Sequence, residues 1–230
     1  LRSIAVASGT RRDLHEHRAV VVGATADEVI DGLRAVATDG ERLTVVTGRV
    51  ITPGDGPVFV FGGQGDRYWP VNEDLLACEP FAQFIVEAQE ILGSLQPDFP
   101  QLSDLMRSPA DDDRLADPGI GQPTMSILQI GLSRMWQSWG VEPTAVVGHS
   151  LGEVAAAHIA GALDVTQAIE VALRRGQTIR PAIGNGAMAI IGLPSDDVST
   201  DIARLGLDRL WVAGENGPYS TVLSGAVDQV

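Results

Sequence analysis

The stretch 145–161, AVVGHSLGEVAAAHIAG, decides the fold, because in it a short apolar strand runs through a serine straight into a helix. Ala145, Val146 and Val147 are small or β-branched and apolar, as in a strand of a parallel sheet buried on both faces. Residues 153–160 are an Ala-rich run of good helix formers. Between them, Gly148-His149-Ser150-Leu151-Gly152 fits G-x-S-x-G, in which glycines flanking the serine permit a tight, strained turn without Cβ clashes. Ser150 is therefore expected at the carboxyl edge of a sheet and at a helix N-terminus. There, backbone N–H groups, beginning with that of Leu151, can stabilise an oxyanion on an attacked carbonyl. The alternative is a serine that merely caps a helix after a Gly-rich turn; the strand before it and the helix after it favour a nucleophile.

Upstream, residues 58–61 (VFVF) form a second continuous apolar strand, followed at once by Gly62-Gly63-Gln64-Gly65, a loop whose glycines let the main chain approach a ligand. Helical pattern covers 72–92, with Pro80 opening a second helix whose apolar positions include Phe81, Phe84, Ile85 and Ile91. The acidic run Asp111-Asp112-Asp113 reads as a solvated loop. A helix over 122–140, with Pro123 in its first turn and Ile127, Leu128, Ile130, Leu132 and Trp136 inward, leads to Gly140 and the strand before Ser150.

Downstream, Gly161 closes the first helix and Asp164 caps a second that turns Ile169, Val171 and Leu173 inward and carries Arg174 and Arg175. Cations near a helix C-terminus also serve simply to offset its dipole. From residue 187 the order becomes strand (AMAIIGL), helix capped by Ser195, strand near 210–213, a turn at Glu215-Asn216-Gly217-Pro218 and strand 221–224. That is the opening of a ferredoxin-like subdomain. Residues 1–56 read as a small α/β unit: a helical start, β runs at 18–22 and 43–47, and between them a helix with Val29, Ile30, Leu33 and Val36 on its apolar face. The turn formers of 51–57 separate this unit from 57–186, the larger α/β part, and 187–230, the small subdomain.

Composition narrows the function classes. Asp and Glu number 30 against 16 Lys and Arg, a formal charge of −14, which argues against nucleic acid as a partner. The apolar runs are far shorter than the ~20 residues that cross a bilayer, and no signal-peptide stretch opens the chain, so a cytoplasmic protein without membrane association is expected. Cys78 stands alone and reads as a small core residue. His15 and His17 lie in a polar loop, and no ligand-like spacing of histidine, cysteine and carboxylate predicts a metal site.

Taken together, VFVFGGQG, WGVEPTAVVGHSLGE, ALRRG, NGAMA and NGPYSTVLSG, in this order, resemble the acyltransferase domain of modular type I polyketide synthases and the related malonyl-CoA:acyl-carrier-protein transacylases. The resemblance implies an α/β-hydrolase-like core with a parallel sheet and nucleophile elbow, a ferredoxin-like small subdomain, and before them, over residues 1–56, a linker of the kind that joins ketosynthase to acyltransferase. It implies that Ser150 is acylated, that the backbone N–H groups of Gln64 and Leu151 form the oxyanion hole, that Arg175 pairs with the free carboxylate of the acyl group, and that His149 and Asn216 lie near the pocket. It further implies that no cofactor is held permanently, that coenzyme A thioesters, malonyl-CoA or methylmalonyl-CoA, are substrates, and that the partners are an acyl carrier protein, with its phosphopantetheine arm, and an adjacent ketosynthase. Leu151 after the serine leans toward malonyl.

Two departures stand out. The family's proline in the first loop is Gly62 here, and the polar pair that follows becomes Asp66-Arg67. The family's base is a histidine well after the small subdomain, whereas no histidine follows His158; the base is expected beyond residue 230, in a chain that is C-terminally incomplete. A serine esterase of the α/β-hydrolase type and a non-catalytic docking portion of a synthase are the rival readings. Gln64 and Arg175 have no role in the first.

Overall fold

Apolar residues spaced for helices and short β-branched runs fold the chain into two compact units, 1–56 and 57–230, in a computed structural model that describes residues 2–13, 15–38, 40, 42–50, 56–64, 71, 73–108 and 112–230. In the first unit α1 (Arg2–Thr10) precedes β1 (His17–Val21), α2 (Ala26–Ala37) and β2 (Val45–Arg49); β1 and β2 pair antiparallel, Val21 opposite Val45. Thr25 caps α2 by accepting the Glu28 N–H. Its inward face is not the one expected. Gly32 and Ala35 are buried, flanked by half-buried Val29 and Val36, while Ile30 and Leu33 are exposed. The reason is distance: a Cβ on Gly32 would lie 2.3 Å from Val21 Cγ1, so only small side chains fit where the helix meets the strands.

The second unit begins with β3 (Val58–Phe61), followed by α3 (Glu73–Leu76), α4 (Glu79–Leu95), α5 (Leu102–Arg107), α6 (Asp113–Ala116) and α7 (Pro118–Ser138). Asp112 caps α6 rather than lying in a loop, and Arg114 and Ser108 bonded to its carboxylate hold it well below the usual carboxylate range. Asp111 is outside the described residues. Helix α7 starts four residues before the expected Gln122, because Asp117 accepts the Gly119 N–H and Pro118 supplies the preformed first turn; Pro123 lies inside the helix.

Strand β4 (Ala145–Gly148) pairs parallel with β3, Val58 opposite Ala145 and Phe61 opposite Gly148. Phe59, Phe61 and Val146 pack on the main core, whose largest wholly buried side chains include Phe81, Phe84, Leu92, Ile127, Ile169 and Leu173. The other face is open: Val60 is 75% exposed and Val147 54%. Trp136 and Val171 likewise face outward.

After β4 come α8 (Gly152–Ile159) and α9 (Val165–Ile179), the latter opened by a reciprocal capping box between Asp164 and Gln167. A 3₁₀ turn (Arg180–Ala182) leads to β5 (Ala187–Ile191), α10 (Ser195–Leu205), β6 (Leu210–Gly217) and β7 (Ser220–Gly225). These strands form an antiparallel sheet in the order β5-β7-β6, packed with α10 around Val198, Leu210 and Leu223. Ser195 does not cap α10. Pro194 occupies that position, and the Ser195 hydroxyl instead donates to the Glu215 carboxylate. Among the described residues, no helix is long and apolar enough to cross a membrane.

Candidate active site

Strand β4 ends at Gly148, and two residues later Ser150 adopts φ 54°, a left-handed conformation sparsely populated by non-glycine residues. The turn is closed by the Gly152 N–H donating to the His149 carbonyl (3.0 Å) and the Glu153 N–H to that of Ser150 (3.1 Å). A Cβ on Gly148 would lie 2.5 Å from the Glu153 backbone nitrogen, and one on Gly152 2.2 Å from the Phe61 carbonyl oxygen. The glycine spacing is thus a packing requirement: the first turn of α8 is pressed against the ends of both strands. The serine is not the helix cap, since that position falls on Leu151 and no side-chain cap bond forms. Its hydroxyl is left exposed at the helix N-terminus.

Side chains from three other segments converge on this turn. Arg175, half-buried on α9, donates from Nη2 to Ser150 Oγ (3.2 Å) and from Nη1 to Gln122 Oε1 on α7 (2.7 Å). Gln122 in turn donates from Nε2 to Gln64 Oε1 (3.2 Å) in the loop after β3. Gln129, two turns further along α7, donates from Nε2 to the Gly62 carbonyl (2.8 Å), so the loop is braced at Gly62 as well as at Gln64. That loop lies alongside the elbow: the His149 N–H donates to the Phe61 carbonyl (2.9 Å), and a Cβ on Gly63 would sit 3.0 Å from His149 Nδ1. Asp66 and Arg67 are outside the described residues.

The remaining candidates divide clearly. His149 Nε2 bonds Asn216 Oδ1 on β6 (3.1 Å), tying the elbow to the three-stranded sheet. The Leu151 side chain is wholly buried in the main core, so this residue can serve an oxyanion only through its N–H. Arg174 points away and pairs with Glu170 (3.4 Å). His158 Nδ1 bonds the Leu163 carbonyl (3.0 Å) near the far end of α8. Among the described residues, the partner of the Ser150 hydroxyl is a cation, not a base.

Gln122 and Gln129 belong to no motif. The available signal was spacing: Gln122, Ser126, Gln129 and Ser133 recur along one helix as a polar stripe, and Gln122, Ser126 and Ser133 are buried. Buried amides without a partner are costly, so such a stripe points to something polar opposite it.

A family model described as "Acyl transferase domain" matches residues 58–230. Erythronolide synthase EryA2 of Saccharopolyspora erythraea is 38% identical over 227 residues, 98% of this chain and 6% of that protein. The acyltransferase domain from module 8 of the salinomycin polyketide synthase superposes with a TM-score of 0.83 at 32% identity, over 100% of this chain and 54% of that one. An acyl-carrier-protein S-malonyltransferase from Burkholderia pseudomallei 1710b does so at 0.66 and 28% identity, over 76% of this chain and 56% of that one. The chain therefore spans a small fraction of the curated synthase and about half of the solved domains it matches.

Proposed function

This chain belongs to the acyl transferase domain family, and from that premise we propose that residues 57–230 contribute the nucleophile and carboxylate site of an acyltransferase that loads a malonyl-type extender unit onto an acyl carrier protein. The carrying observation is the guanidinium of Arg175 within 3.2 Å of Ser150 Oγ, delivered by a separate helix. A planar fork that is always charged suits bidentate binding of a free carboxylate, and here it would hold the acyl group's distal end beside the attacking oxygen.

In the first half-reaction Ser150 Oγ attacks the thioester carbonyl of the acyl-coenzyme A, its proton passes to a base, and the C–S bond breaks to release coenzyme A and leave an acyl ester. In the second, the phosphopantetheine thiol of the carrier attacks that ester, giving the carrier thioester and restoring the serine. The oxyanion of each step is assigned to the N–H groups of Leu151 and Gln64. We assign the base to a group outside the described residues, since His149 and His158 are engaged elsewhere. The preference for malonyl over methylmalonyl inferred from Leu151 would have to act through the elbow's position, because that side chain is buried.

The α/β-hydrolase-like description of the larger part and the ferredoxin-like description of 187–230 belong to this reading. The latter is supported by the strand order β5-β7-β6. So do the linker role of residues 1–56, an adjacent ketosynthase and a cytoplasmic location. Incubating the full-length protein with radiolabelled malonyl-CoA and quenching in acid tests the function. Label held on Ser150 supports the transferase; release of free malonate supports an esterase, and neither outcome a docking role.

A further inference from the structure

Gln122 is the point where the two halves of the candidate site are joined. The residue is 2% exposed, on α7, and it makes one bond with each end of its amide: Oε1 accepts from Arg175 Nη1 at 2.7 Å and Nε2 donates to Gln64 Oε1 at 3.2 Å. A guanidinium can only donate, so the amide oxygen must face Arg175 and the NH₂ must face Gln64. The result is one directed chain from the α7 amide to both the arginine beside Ser150 and the loop braced against the elbow.

We propose that Gln122 is a positioning residue for the acyl transfer, holding the Arg175 guanidinium toward the acyl carboxylate without neutralising it while fixing the Gln64 loop; this rests on the acyltransferase reading above. The residue type matters. A carboxylate at this position would pair with Arg175 and compete with the incoming carboxylate for its charge, whereas an aliphatic side chain would leave Nη1 without an acceptor in a half-buried setting. A neutral amide binds the cation and leaves its full charge for substrate. Because Gln122 acts through Arg175, its removal should raise KM for malonyl-CoA more than it lowers kcat.

The experiment compares malonyl-CoA with acetyl-CoA as acyl donor to Ser150 in the full-length protein, for the parent, Gln122→Leu, Gln122→Glu, Arg175→Ala and the double variant Gln122→Leu/Arg175→Ala. Thermal melting is the folding control, and the isosteric Glu variant decides if the Leu variant does not fold. In Gln122→Leu, malonyl kcat/KM should fall by about 10–100-fold, mostly through KM, as for loss of a hydrogen bond to a charged group, and acetyl kcat/KM by distinctly less. Gln122→Glu should lose malonyl selectivity at least as far. The double variant should be no less malonyl-selective than Arg175→Ala alone. Equal losses for both donors, or a malonyl-to-acetyl ratio that falls further in the double variant than in Arg175→Ala, would overturn the role of Gln122 while leaving the acyltransferase reading intact. A parent that never labels Ser150, or an Arg175→Ala variant with the parental donor ratio, would overturn that reading and the proposal with it.

Discussion

Ser150 separates chemistry from backbone: its φ of 54° is imposed by the close approach of α8 to the strand ends, which depends on Gly148 and Gly152 and not on the hydroxyl. Ser150→Ala is therefore expected to abolish acid-stable label from malonyl-CoA while costing about 1 kcal/mol or less in stability, the size of one part-exposed hydrogen bond. Labelling at the parental rate would exclude Ser150 as nucleophile. Arg175 and Arg174 are adjacent in sequence and opposite in circumstance, one against Ser150 and Gln122, the other exposed against Glu170. Arg175→Ala should lower malonyl kcat/KM by about 2–4 kcal/mol of transition-state binding, as for a charge pair deprived of one partner, and acetyl kcat/KM by less. Arg174→Ala removes the same charge from an exposed pair worth about 0.5 kcal/mol and should leave the donor ratio unchanged. Equal shifts in the two variants would reduce Arg175 to a general electrostatic effect.

At the level of elements, the site depends on how closely α7 and α9 cross, since Gln122 rides on one and Arg175 on the other. The crossing is set at Gly176, where a Cβ would lie 2.0 Å from the Pro118 carbonyl oxygen. Gly176→Ala poses opposed effects. Alanine is better than glycine in a helix interior by about 1 kcal/mol, whereas overpacking against rigid backbone costs about 1–3 kcal/mol. The contact is with main chain, which cannot swing aside, so a net loss of stability is expected together with reduced malonyl selectivity as Arg175 is displaced from Gln122. A raised melting temperature with the parental donor ratio would show that the crossing has room to spare.

Across the whole molecule, the larger unit stands on one main cluster, and Phe81 is wholly buried in it against α7. Phe81→Ala should cost about 3–5 kcal/mol, read from the denaturant midpoint at constant slope; a loss below about 1 kcal/mol would mean that the cluster closes over the gap. Much of this architecture was legible in the chain itself. The G-x-S-x-G run, the apolar strands at 58–61 and 145–148, the Asp164 cap and the strand, helix, strand, strand order after residue 187 are local signals, and local backbone sterics, capping and periodicity produce the corresponding elements. What remained hidden was long-range. The start of α7 and the choice of Gly32 and Ala35 over Ile30 and Leu33 as the packed face of α2 depend on what lies opposite in space. The same holds for the site: Ser150 and Arg175 could be singled out as candidates from the chain alone, because a local turn and a motif mark them. Only the tertiary structure decided that Gln122 joins Arg175 to Gln64, because a hydrogen bond between residues far apart in the chain exists only once two helices and a loop are packed within 3 Å or so of one another.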